Sequence, residues 1–327
     1  MRVAVLYSIG VQKGIIRGLE KNGHEVVPLF HGLTTNKYLL KLLYPNHKKE
    51  IAEIEKRFNN AISTLKNNNE QQKIDAIIIF RGYRLSESSI EILKNLPGKK
   101  IQWVTDSFDR YEDQKKLALL MDKVFVADNK DAIDTNYQWL PLGFDEDLFP
   151  YSTKKDIDLL LMGDISQPHY KTRLDYIIEA SKIGKRGYKV VFAGTGLNRN
   201  LINLLKSNQV EIHRYLAYTK YSKMICRSKV CVNIHQDDGG LSINPMFFAI
   251  PASGSFQITE ERDYISQWLT PQRDYFPTPL HALNERIEKI LSHQKMLVKN
   301  VSNEIANKHS YQSRAKQILG NLLHDAK

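Results

Sequence analysis

Between residues 230 and 260 the chain reads VCVNIHQDDGGLSINPMFFAIPASGSFQITE, a stretch rich in side chains able to meet a phosphorylated ligand. A short apolar strand ends in Asn233, His235, Asp237 and Asp238. Gly239-Gly240 then leads to Ser242 and Asn244, an apolar helical run, Pro251 and Gly254. Open α/β sheets bind ligands at the carboxyl ends of their strands, where glycines let backbone amides approach phosphate oxygens. Asn-x-His running into Gly-Gly-x-Ser therefore predicts a nucleotide-binding crevice lined by Asn233, Gly240, Ser242 and Asn244. His235, the ionisable group at its edge, is a catalytic candidate that could equally bind sugar or phosphate. The alternative is an ordinary strand–loop–helix crossover with a polar loop.

Other strand ends add to the set. Gly163-Asp164 and Gly194-Thr195-Gly196 each close an apolar run. Lys171 and Arg173 follow Gly163 at a helix start, where the helix dipole adds to their charge, and are the candidate partners of a diphosphate. Surface salt bridges are the alternative for both. Tyr215 and Leu216 end the strand VEIHRYL, in position to grip a base. In WVTDSFD, Asp106 ends an apolar strand and is the candidate proton acceptor, with Asp109 its rival and Ser107 beside it. Asp106 and Ser107 are also good helix caps. Arg81, at another strand end, joins Ser107 and Asp109 on the acceptor side. No His/Cys/Asp cluster has metal-ligand spacing, and there is neither a Gly-x-Ser-x-Gly elbow nor a Walker loop.

The elements that must position these groups alternate. A strand at 2–8, a helical pattern at 10–22 and a strand at 25–30 make a βαβ opening. Residues 38–65 place Ile51, Ile54, Phe58, Ile62 and Leu65 on one helical face, and the amide-rich KNNNEQQK that follows reads as a solvated loop. Strands at 76–80, 101–105 and 124–127 complete a doubly wound sheet. YQWLPLGFDEDLFP, at 137–150, breaks the pattern and reads as a passage between domains. Strands at 157–162, 190–193, 210–215, 230–234 and 254–258 form a second series, and 294–324 is helical in pattern. The expectation is an α/β protein of two Rossmann-like doubly wound domains facing a cleft. Residues 1–145 form the first, 146–302 the second, and a helix within 303–327 packs back on the first.

Length supports two cores, and 42% hydrophobic with 25% charged residues is ordinary globular composition. No apolar run reaches the roughly 18 residues that span a bilayer, and MRVAVLYSIG reads as a first strand rather than a signal peptide. Two cysteines, Cys226 and Cys231, read as buried free thiols of a cytoplasmic protein. The net charge of +11 comes from scattered lysines without interleaved aromatics. That distribution points to a solvated basic surface, with loose association at an anionic inner membrane face next in line and no nucleic-acid partner.

WVTDSFD, YQWLPLGFDEDLF, LLLMGDISQPHYKTRLDYI, VNIHQDDGGLSINPMFFAIPASGSFQIT and HSYQSRAKQIL occur in the order and spacing of landmarks in the GT-B glycosyltransferases. Over residues 100–325 the chain most closely resembles their CgeB-like group. The resemblance implies a metal-independent transferase with no cofactor. Its substrates would be a UDP- or GDP-linked sugar and a glycan, lipid-linked or protein acceptor, as in bacterial surface polysaccharide or glycoconjugate synthesis. One departure bears on activity. Where such enzymes carry Asn-x-Arg-x-Phe-Glu, with Glu on the donor ribose and Arg on the diphosphate, this chain has Met246 for Arg and Ala249 for Glu. A sugar-nucleotide epimerase on the same fold, or a catalytically degenerate binding scaffold, are the competing functions.

Overall fold

The computed structural model describes residues 1–8, 12–33, 47–109, 112–166, 170–236, 241–293 and 297–324. Its contacts divide the chain into two units, one of Met1–Leu142 with Tyr311–Lys327 and one of Gly143–Ser310.

The first unit holds β1 (Arg2–Tyr7), β2 (Glu25–Phe30), β3 (Ala76–Phe80), β4 (Lys99–Val104), β5 (Lys123–Val126) and β6 (Gln138–Trp139). They are parallel, in the order β2-β1-β3-β4-β5-β6. Alternate residues of β1 serve two cores. Val3, Val5 and Tyr7 meet Ile15, Leu19, Tyr311 and Ile318 on one face. Ala4 and Leu6 meet Phe58, Ile62 and Leu65 on the other. A strand covered on both sides has no polar face, which is why its sequence is apolar throughout. The helices Lys13–Lys21 and Tyr311–His324 approach closely, because a Cβ on Gly14 would lie 2.2 Å from the Tyr311 ring and one on Gly18 would lie 2.5 Å from the Tyr311 carbonyl oxygen.

The second unit holds β7 (Ile157–Asp164), β8 (Val190–Thr195), β9 (Glu211–Arg214), β10 (Ser228–Val232), β11 (Phe256–Thr259) and β12 (Phe276–Pro277), also parallel, in the order β12-β11-β10-β7-β8-β9. The chain starts mid-sheet at β7, adds β8 and β9 on one side, then returns to add β10, β11 and β12 on the other. The reversal lies between β7 and β10, and such switch points are where doubly wound sheets bind ligands. In the first unit the reversal lies between β1 and β3.

Three expectations differ in detail. The amide-rich segment expected as a loop continues the helix His47–Gln71. Its carbonyl end is held by the Arg2 guanidinium, which donates to the oxygens of Asn68 and Gln72, and the Asn69 side chain accepts from the Ile74 amide. The terminal helical pattern is broken at Ser310, extended at φ −66° and ψ 161°, into Lys299–His309 and Tyr311–His324. The chain rejoins the first unit at Tyr311, so Lys299–His309 stays in the second. The two-residue strands β6 and β12 are too short to show a periodicity. Both cysteines are buried and free.

Candidate functional site

At the switch point of the second unit, the ends of β7 and β10 are tied by one side chain. Arg173, on the helix Lys171–Ser181, is 9% exposed. Its Nε and Nη2 donate to the Ile234 carbonyl at 2.9 and 2.7 Å, and its Nη1 donates to the Asp164 carbonyl at 2.7 Å. The guanidinium also lies over the Tyr170 ring, 4.5 Å from its centroid. Burial draws its pKa down, opposed by nearby Tyr170, Tyr221, Glu260 and Asp164. Gly163 makes room for this clamp: its φ is +119°, and a Cβ there would sit 2.9 Å from Arg173 Cδ. Gly194 answers a different demand, since its Cβ would fall 2.0 Å from the Gly163 carbonyl oxygen. Asp164 Oδ1 accepts from Thr195 Oγ1 at 2.8 Å and from the Ser166 amide at 3.0 Å, which fixes the turn after β7.

The segment leaving β10 is held just as firmly. Asn233 donates to Gln257 Oε1 at 2.8 Å and exchanges hydrogen bonds with the Asn244 amide at 3.2 Å, while Asn244 Oδ1 accepts from the Phe247 amide at 3.1 Å. These amides pin the strand end to the helix Met246–Ala252. His235 is 3% exposed, with Nδ1 3.1 Å from Glu260 Oε1 and its backbone amide donating to the same carboxylate at 3.1 Å. Its ring meets Phe247 edge-on at 5.8 Å, and its Nε2 has no hydrogen-bond partner among the described residues. Glu260 follows β11 and is paired with Arg262, whose Nη2 donates to the Gln236 carbonyl at 2.8 Å. Burial opposes ionisation of Glu260, but the facing His235 and Arg262 outweigh it and hold the carboxyl at about 2.

Glu260 and Arg262 were not singled out from the sequence. The available signal was Thr-Glu-x-Arg directly after a buried strand. The helix that departs from the transferase pattern brings no charge: Ala249 is buried and Met246 is half-buried. The Glu–Arg pair of this edge, a buried Glu260 with a half-buried Arg262, comes from the segment after β11.

The remaining expected residues are placed as follows. Lys171 is exposed and paired with Asp175 at 2.6 Å. Ser242 and Leu216 are half-buried. Tyr215 is exposed with a left-handed φ of +57°, an uncommon conformation for a bulky residue. Asp237, Asp238, Gly239 and Gly240 lie outside the described residues.

In the first unit, Arg81 follows β3 with φ +61° and its Nη2 lies 2.6 Å from Asp106 Oδ2. Asp106 therefore meets a guanidinium, and Gln114 donates to its backbone carbonyl at 3.4 Å. Ser107 Oγ accepts from the Asp109 amide at 3.1 Å, a local turn. Asp109 is exposed and bonded to Lys130 at 2.7 Å, a bond that lowers its pKa. His31, after β2, was not anticipated. It is fully buried, edge-on to Phe58 and Tyr83, and neither ring nitrogen has a partner among the described residues. Burial first, then the charge of Arg81, lowers its pKa to about 4. Among the described residues no group of three His, Cys, Asp or Glu side chains could hold a metal.

Residues 175–320 match the model of a family described as glycosyl transferase-like. No curated protein matches the chain in sequence. Among solved structures, the chain resembles the sucrose-phosphate synthase of Thermosynechococcus elongatus, at 13% identity and TM-score 0.65 over 100% of both chains. A glycosyltransferase from Rickettsia africae is similar at 16% identity and TM-score 0.59, covering 98% of this chain and 99% of that one. The UDP-GlcNAc 2-epimerase of Neisseria meningitidis, in a structure with UDP-GlcNAc bound, is similar at 11% identity and TM-score 0.59, over 99% of this chain and 100% of that one. The fold is thus the GT-B one, two Rossmann-like units in tandem.

Proposed function

We propose that the protein is a glycosyltransferase that moves a sugar from a UDP- or GDP-linked donor to a glycan, lipid-linked or protein acceptor, as in surface polysaccharide or glycoconjugate synthesis. The observation that carries this reading is the family match over 175–320, which runs through β8–β12 and the His235–Glu260–Arg262 network. In this reading the nucleotide lies at the carboxyl edge of the second unit, near the ends of β7, β8 and β10, with Tyr215 and Leu216 at the base. Lys171, Ser242 and the amides around Gly240 meet the diphosphate. Arg173 contributes its remaining N–H groups there. The acceptor hydroxyl forms a bond to the anomeric carbon as the glycosyl–phosphate bond breaks. Its proton passes to Asp106, the proposed base, and the nucleoside diphosphate leaves. The reading needs neither metal nor cofactor.

Thermal shift with UDP, GDP, uridine and guanosine tests donor binding, and protection by neither diphosphate would return the chain to the scaffold reading that Met246 and Ala249 favour. Asp106→Asn should lower turnover about 100- to 10,000-fold with donor affinity kept, the range for general-base catalysis. Near-normal turnover would make Asp106 a partner of Arg81 only. Likeness to UDP-GlcNAc 2-epimerases over nearly the whole chain supports a second reading. Incubation with donor alone separates the two, since an epimerase converts it without acceptor. The net charge of +11 supports loose attachment to an anionic membrane face on the cytoplasmic side, testable by sedimentation with phosphatidylglycerol vesicles in low and high salt. No helix among the described residues is long and apolar enough to cross a membrane.

A further inference from the structure

Three consecutive residues leaving β10 are each gripped by a charged side chain. Arg173 takes the Ile234 carbonyl with two N–H groups, Glu260 takes the His235 amide, and Arg262 takes the Gln236 carbonyl. Buried backbone groups need partners, and charged side chains supply the strongest ones. What this clamp fixes is the His235 ring, 3% exposed and bonded through Nδ1 to Glu260. An ionised carboxylate can only accept, so the hydrogen of that bond is on Nδ1. In the neutral ring Nε2 then carries a lone pair. It is buried without a partner among the described residues, beside the switch point between β7 and β10. An unsatisfied buried acceptor is destabilising, so a donor group that reaches it is bound favourably.

We propose that Glu260 and Arg262 are positioning residues that hold His235 with its Nε2 lone pair presented to a hydroxyl group of the sugar carried by the nucleotide donor. The assignment rests on the donor-binding reading above and makes His235 a sugar contact rather than a phosphate contact. A phosphate oxygen, itself an acceptor, finds no partner in that lone pair. Sugar hydroxyls supply the O–H it lacks. Arg262 neutralises Glu260 and anchors the next carbonyl, so the carboxylate stays directed at the ring.

Two measurements test this on the full chain. The first is the nitrogen-15 spectrum of the His235 imidazole in the wild-type protein, near neutral pH and without ligand. A protonated Nδ1 with an unprotonated Nε2 is expected, and mixed tautomers in Glu260→Gln. The opposite tautomer, or a ring protonated on both nitrogens, in the wild type would overturn the proposal. The second is calorimetry with UDP-glucose, UDP-N-acetylglucosamine, UDP-galactose and GDP-mannose, each against its parent UDP or GDP. The best sugar nucleotide should bind the wild type more tightly than its parent diphosphate. That increment should shrink about 3- to 10-fold in His235→Phe and in Glu260→Gln, with UDP or GDP binding unchanged within about 2-fold. An increment unchanged in both variants refutes the sugar contact and leaves donor binding intact. A wild type that binds no nucleotide or sugar nucleotide refutes the function reading and this proposal together.

Discussion

His31 and His235 are both buried and both lie at the carboxyl end of a parallel strand, yet their surroundings are opposites. His31 sits against two aromatic rings with no hydrogen-bond partner among the described residues, and burial holds it neutral until about pH 4. His235 faces a carboxylate that is itself backed by a guanidinium. Burial alone turns an imidazole into a flat, half-aromatic core residue. Burial with a fixed counter-charge gives it a defined tautomer and one directed nitrogen.

The largest effect should come from breaking the charged side of that contrast. Glu260→Ala leaves Arg262 and the His235 amide without their partner and should destabilise the second unit by about 3–5 kcal/mol in urea unfolding. The pH window follows from the depressed carboxyl. Its contribution is complete above the ordinary glutamate value of 4.5 and is lost as the pH falls through about 2. His31 should act earlier and in the first unit. With a folded value near 4 against 6.5 in the unfolded chain, only the unfolded state takes up its proton between those values. Stability should therefore fall by about 3 kcal/mol as the pH drops across that window. His31→Phe should flatten this limb, and an unchanged limb would show that the ring escapes to solvent. Gly163→Ala should weaken the clamp beneath His235 by about 1–3 kcal/mol, through backbone strain at φ +119° and crowding of Arg173. Lys171→Ala, which removes an exposed helix pair, should stay within about 0.5 kcal/mol in the same assay.

The frame around this contrast, though not the contrast itself, was legible in local sequence. Strand ends at Gly163, Gly194 and Asn233–His235 were legible because apolar runs stop there on small or polar residues, and the doubly wound class followed from the alternation of strands and helices. Glu260 and Arg262 were not legible, because their meaning depends on β11 lying beside β10, a pairing between residues far apart in sequence. Arg173 shows a second limit. Its place at a helix start was readable, but its use as a clamp between two carbonyls was not, since backbone oxygens carry no residue type. His31 escaped notice because a lone histidine after a strand looks the same whether caged or paired. The helix ending at Gln71 was misread for a simpler reason: its cap is Arg2, distant in sequence.

The helix Tyr311–His324 belongs to the unit that the chain builds first, yet its residues are synthesised after the whole of the second unit. Until they emerge from the ribosome, the face of Lys13–Lys21 bearing Gly14, Gly18, Ile15 and Leu19 lacks its cover. The second unit, continuous in sequence, can fold while the first waits. Nascent chains should therefore pass through a stage in which an apolar surface beside β1 is open to chaperones, and the last helix acts as the latch that ends it.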